Sequence, residues 1–71
     1  MKAAILKDLS PGEVFYFPED PNEEKLVKLS IQLWGHVSAF GLHNFNLNVF
    51  NPLSEVLVVG CVDIKVRGND G

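Results

Sequence analysis

The sequence predicts an all-β domain, a small closed or nearly closed barrel of five to six strands. Three observations predict it. Short runs rich in β-branched and aromatic residues recur along the chain, as at Val14-Phe15-Tyr16-Phe17, and such residues suit a pleated, half-buried surface. Turns built from glycine, proline and asparagine separate these runs at short spacing. Within several runs apolar and polar residues alternate with period two. Closure is expected because it removes exposed sheet edges.

The chain has 71 residues and one cysteine, Cys61. A chain of this size buries only about 60% of the surface that its unfolded form exposes. An intramolecular disulfide and a cysteine-only zinc site are both excluded. Good packing or oligomerisation must then supply the missing stability, and a homo-oligomer is an even expectation. The hydrophobic content of 46% argues against disorder. Net charge is −3, and the basic residues Lys2, Lys7, Lys25, Lys28, Lys65 and Arg67 are scattered rather than gathered into the stripe that nucleic-acid binders show. No run reaches the length of a membrane span, and the N-terminus lacks the layout of a signal peptide. These features predict a soluble cytoplasmic protein with one domain over residues 1–67 and a disordered tail over 68–71.

Ala3-Ala4-Ile5-Leu6 fits a strand or a helical turn, and the short strand with a distant partner is favoured. Pro11 and Gly12 predict a type II turn, since proline presets φ at its second position and glycine supplies the positive φ at its third. Glu13 to Phe17 follows as a strand with aromatics on both faces, so it should be covered on more than one side. Pro18 ends it. Residues 18–25 form a polar loop; its four acids (Glu19, Asp20, Glu23, Glu24) lack the ligand pattern and glycine of an EF-hand loop.

Residues 26–34 admit two readings. Val27, Leu29, Ile31 and Leu33 alternate with Lys28, Ser30 and Gln32, as in a strand. The same stretch gathers its apolar residues on one side of a helical wheel, with Asp20 as cap, Pro21 in the first turn, Glu23 completing a capping box and Gly35 at the end. A helix over 21–34 would make the fold α+β. His36 to Leu42 continues as a strand, with Val37 and Ala39 on one face and Ser38 and Phe40 on the other; Gly41 marks a bend or a close backbone approach. His43-Asn44 is a turn. In Asn44 to Phe50 the alternation sends Phe45, Leu47 and Val49 to the core and three asparagines to the other face. Asn51-Pro52 ends this strand. Glu55 to Arg67 is the longest strand signal, with Val56, Val58, Val62, Ile64 and Val66 on one face and a bend or bulge at Gly60. It reads as the closing strand of a barrel.

Leu9-x-x-Gly12-x-x-Phe15, Leu26-Val27-Lys28-Leu29 and Phe50-x-Pro52-x-x-Glu55-Val56 together resemble a diffuse group of small phage and bacterial proteins that look like SH3-like β-barrels. The resemblance spans about residues 5–58 and rests on short apolar motifs. It implies an SH3-like barrel with residues 26–34 as strand, and it implies no activity, because the group has no catalytic residues to carry over. The chain departs from the group in lacking a clear glycine near His43-Asn44 and in its extension after Val59.

Chemistry finds little support. Ser10, Ser30, Ser38, Ser54, Cys61, His36 and His43 are the available nucleophiles and bases, and no G-x-S-x-G or similar motif links them. Cys61 lies in an apolar run, where thiols are usually buried and inert. His36 and His43, with Asp63 or Cys61, are too sparse a set to predict zinc. No glycine-rich phosphate loop is present. The chain is thus expected to be neither an enzyme nor a cofactor binder. The asparagine row is read as a solvated sheet face. The alternation places Tyr16, Trp34, Phe40 and Phe50 off the main core face, either as a second small core or, exposed together, as an interface. With Asp63, Lys65 and Arg67 on the C-terminal strand, they are the candidate interface residues of a non-catalytic interaction or assembly module that self-associates. Its partner is a second copy or another protein. Binding of single-stranded nucleic acid on an aromatic sheet face is the alternative, and the acidic balance counts against it.

Overall fold

A computed structural model describes residues 2–62, with Ile31 and Leu33 described by backbone alone. Six strands form one antiparallel sheet: β1 (Lys2–Ile5), β2 (Glu13–Tyr16), β3 (Leu26–Leu33), β4 (His36–Gly41), β5 (Leu47–Phe50) and β6 (Glu55–Cys61). A 3-10 turn, Leu6–Asp8, follows β1, and no α-helix occurs among the described residues. The spatial order is β1-β6-β2-β3-β4-β5. Strands β2 to β5 form a meander, and β6 returns to lie between β2 and β1.

The turn into β2 forms as its residues predict. Gly12 has φ +96°, and the Glu13 N–H donates to the Ser10 C=O at 3.1 Å. The Glu13 carboxylate in turn accepts the Ser10 N–H at 2.7 Å. The Lys28 C=O accepts the Gly12 N–H, and the Gly12 C=O accepts the Val62 N–H, both at 2.8 Å. The turn therefore bonds outward to β3 and to the residue after β6.

Residues 21–34 are not a helix. Asp20 does act as a cap, its carboxylate accepting the N–H groups of Asn22 and Glu24, but the chain it caps is a loop. The apolar residues from Leu26 onward gain more from two neighbouring strands than from one helical face: Leu26 pairs with Phe15 and Gly41, and Val27 with Val14 and Phe40. Gly35, read as a helix terminator, is instead the second residue of the β3–β4 hairpin turn. Trp34 and Gly35 have φ of +53° and +75°, the signature of a type I′ turn. The β3–β4 register shifts between Lys28 and Gln32, so that Leu29, Ser30 and Ile31 stand opposite Ser38 alone. The period-two alternation of β3 is broken there.

The core is one cluster of Leu6, Leu9, Phe15, Leu26, Val37, Ala39 and Val56, with Ala4, Phe17, Phe50 and Val58 packed against it. Fully burying an aliphatic or aromatic side chain contributes about 1.5–3 kcal/mol, so this cluster is the main source of stability. Pairing puts Val14, Tyr16 and Val27 on the opposite face, and these are buried as well, so β2 is covered on both sides as its aromatics suggested.

The sheet is open, not closed. Its edges are β1 and β5, and no ladder joins them. Two backbone bonds draw the edges toward each other: the Leu6 N–H donates to the Ser54 C=O at 2.8 Å and the Lys7 N–H to the Pro52 C=O at 2.9 Å. The chain after β1 is thus tied to the chain after β5 without a strand pair. Strand β6, expected to close the barrel, is an interior strand paired on both sides. Its register with β2 shifts between Val14 and Phe15, leaving Val59 as the extra residue beside Gly60. Residues 63–71, which include Asp63, Lys65, Arg67 and the expected tail, lie outside the described residues.

Candidate interaction surface

Strand β5 alternates as expected but with its faces exchanged. Val37 pairs with Phe50 and Ala39 with Asn48, and Val37 and Ala39 are core residues. Phe50 and Asn48 therefore lie on the core side, while Leu47 and Val49 lie on the outer face. Leu47 is 57% exposed, and Phe45 is 70% exposed in the turn before it. The reason is Phe50. Its ring packs on Phe17 at 4.8 Å between centroids, and a phenylalanine in that contact buries more apolar surface than Leu47 or Val49 would. Phe45 adopts φ +56°, its N–H donates to the Gly41 C=O, and its ring lies 6.0 Å from that of Phe40 on the outer face.

The four aromatics read as a possible interface do not gather. Tyr16 is 5% exposed, with the Lys25 ammonium 5.0 Å from its ring centroid. Phe50 is half-buried against the core. Phe40 is half-buried on the outer face. Trp34 alone is open to solvent, 90% exposed at the tip of the β3–β4 hairpin. Tyr16 and Phe50 are thus packing residues, because strand pairing sets both of them against neighbours.

Another feature groups the exposed apolar residues along the chain. No Asp, Glu, Lys or Arg occurs between Lys28 and Glu55. This uncharged stretch comprises the tip of β3, all of β4 and β5, and their turns. Trp34, Leu42, Phe45, Leu47, Val49 and Leu53 are exposed, and all lie within it. Only Val59 and Val62 are large exposed apolar residues elsewhere among the described residues. A solvated sheet normally carries charges on its outer face. The charge-free stretch is visible in the chain as a gap in the positions of its charged residues, a signal that period-two alternation does not carry.

Two clefts flank this region. One, about 500 Å³, is lined by Asn22, Glu23, Glu24, Lys25, Leu42 and His43. The other, about 390 Å³, has Phe17, Leu26 and Phe50 with Glu19, Asp20, Glu24, Asn44 and Asn48 around them. Neither brings a nucleophile and a base together. His36 and His43 lie at opposite ends of β4, and the His36 Nδ1 lies 2.9 Å from the Trp34 C=O. Ser38 is buried. Cys61, expected to be buried, is exposed near the end of β6 opposite Glu13. No group of three His, Cys, Asp or Glu that could hold a metal occurs among the described residues. No helix among them is long and apolar enough to cross a membrane.

The class of molecule these observations define is a small all-β domain, a curled open sheet whose exposed large apolar residues fall mostly in one uncharged stretch of the chain. No protein-family model, curated protein or solved structure matches the chain.

Proposed function

We propose that this protein is a non-catalytic interaction and assembly module of SH3-like descent that works through its uncharged flank. The observation that carries the reading is the coincidence of the two patterns: the exposed large apolar residues from Trp34 to Leu53 fall in the stretch that lacks charge. Exposed apolar surface marks interaction sites where it is contiguous, as where Phe45, Leu47 and Val49 adjoin Phe40 on the outer face, and charge depletion is the compositional mark of interface centres. The strand order also supports the barrel kinship, since a meander whose last strand returns beside its first needs only a ladder at the remaining gap to close.

The C-terminal strand was expected to supply the self-association surface through its extension over residues 60–67; Asp63, Lys65 and Arg67 of that extension lie outside the described residues. Among the described residues, β6 is interior up to Val58, and the free edge next to exposed apolar residues belongs to β5. Binding of single-stranded nucleic acid remains the weaker reading. Trp34 and Phe45 could stack on bases, but no lysine or arginine of the same stretch stands ready to meet phosphates.

Light scattering across a micromolar concentration series, read together with Trp34 emission, tests the proposal. A mass that rises with concentration while the emission shifts to the blue is expected. A monomer at all concentrations with an unshifted Trp34 removes the self-association reading. Salt-sensitive binding of an oligonucleotide would replace it with the nucleic-acid one.

A further inference from the structure

We infer that the free edge of β5 is a self-complementary docking strand whose occupant is β5 of a second copy, paired antiparallel about a twofold axis through Asn48. The inference rests on the assembly reading above and specifies its geometry.

The phase of the β4–β5 ladder determines which groups are free. The Gly41 N–H donates to the Asn46 C=O at 2.9 Å. In an antiparallel ladder, residues that exchange hydrogen bonds alternate with residues that do not. Asn46, Asn48 and Phe50 thus turn their backbone groups toward Gly41, Ala39 and Val37. Leu47 and Val49 turn theirs away, placing two N–H and two C=O groups along the open edge.

These four groups fit one another. With Asn48 on a twofold axis, Leu47 of one copy lies opposite Val49 of the other, and the reverse. Each pair exchanges two hydrogen bonds, so the four groups of both copies are satisfied. Asn48 then faces its own counterpart as a pair without hydrogen bonds, Cα atoms about 4.5 Å apart. Centring the axis on Leu47 or Val49 instead would set the other outward residue against chain that has left the strand, since β5 spans only Leu47–Phe50. On the outer face the same register brings two leucines and two valines into one apolar patch, flanked by Phe40 and Phe45.

Charge permits the contact. Each copy has a net charge of −3, and β5 itself carries no charged residue; Glu19, Asp20 and Glu24 line the core-side cleft with Asn48, so the outer face of the contact is the one whose own strand residues bring no like charges together. The edge also lacks the devices that blunt natural edges, with no lysine, proline or bulge in β5. Edge β1 differs, carrying Lys2.

The test uses the whole chain with Cys61→Ser to remove its exposed thiol. Asn48→Cys in that background should form an interchain disulfide under mild oxidation at least about tenfold faster than Asn46→Cys, because only the axial pair falls within disulfide reach. Val49→Pro should weaken the dimer at least about tenfold by sedimentation equilibrium, with the far-UV spectrum unchanged, since proline on an edge removes only a solvent-facing donor. Val49→Lys gives a second probe should the proline variant fail to fold. Equal cross-linking rates in a chain that still dimerises overturn the β5 pairing and leave the assembly reading standing. A chain that stays monomeric at every concentration tested overturns both the β5 pairing and the self-association reading.

Discussion

Phe17 and Phe50 meet edge to face, with ring centroids 4.8 Å apart and planes at 61°. Phe17 follows β2 and Phe50 ends the edge strand β5, so this contact spans the mouth of the curled sheet. Phe17 also stands edge to face on Phe15 at 5.8 Å, which links the edge strand to the centre of the core. The contact holds the curl where no ladder does.

Phe50→Ala should therefore destabilise the domain by about 2–3 kcal/mol, somewhat less than a fully buried phenylalanine. A double-mutant cycle with Phe17→Ala should give a coupling of about 1 kcal/mol. Urea unfolding of the four proteins measures both. A coupling near zero would mean that the two rings merely share a neighbourhood.

Gly12 sits at φ +96° in the turn that bonds to both β3 and the residue after β6. Gly12→Ala should cost about 1–3 kcal/mol in backbone strain, read as a lower urea midpoint with an unchanged m-value. Pro11→Ala should cost less, because it loosens the unfolded chain without straining the folded one.

Gly41 has a different reason to be glycine. A Cβ there would lie 2.5 Å from the Asn44 Oδ1, so Gly41→Ala must push the Asn44 side chain out of place. Because Asn44 is exposed and its side chain can turn away, the cost should stay within about 1 kcal/mol, and Asn44→Ala should recover most of it. Thermal melts of the single and double variants decide this.

Trp34 occupies the first central position of a type I′ turn, where asparagine or glycine is preferred. Trp34→Asn should stabilise the isolated domain by about 0.5–1 kcal/mol and reduce whatever association the uncharged flank supports. Stability rising while association falls is the pattern of a residue kept for contact. Should stability fall instead, Trp34 has a packing role that its 90% exposure does not suggest.

Local chemistry was legible where a residue permits one conformation. Pro11-Gly12 announced its turn, and Val37 and Ala39 announced one face of a strand. The expected strand at residues 3–6 forms as β1 over Lys2–Ile5 with the distant partner β6, while Leu6 opens the 3-10 turn that the same residues also allowed. Legibility failed at three points for one reason. For residues 26–34 the choice between helix and strand depended on neighbours that only the fold supplies. In β5 the alternation was plain, but a period of two states that residues alternate and not which set faces the core. At β6 a long apolar strand could have been an edge, a closing strand or an interior one.

By itself the sequence determined the alphabet of the fold: strands of period two, a turn at Ser10–Glu13 and a stretch from Leu29 to Ser54 without charge. These follow from backbone sterics and solvation, which act within a few residues. Only the tertiary structure decided that β6 lies between β1 and β2, that Phe50 rather than Leu47 faces inward, and that the sheet remains open at β5. Those outcomes depend on which distant side chains compete for one core. The Phe17–Phe50 contact wins that competition and leaves Leu47 and Val49 on an uncovered edge.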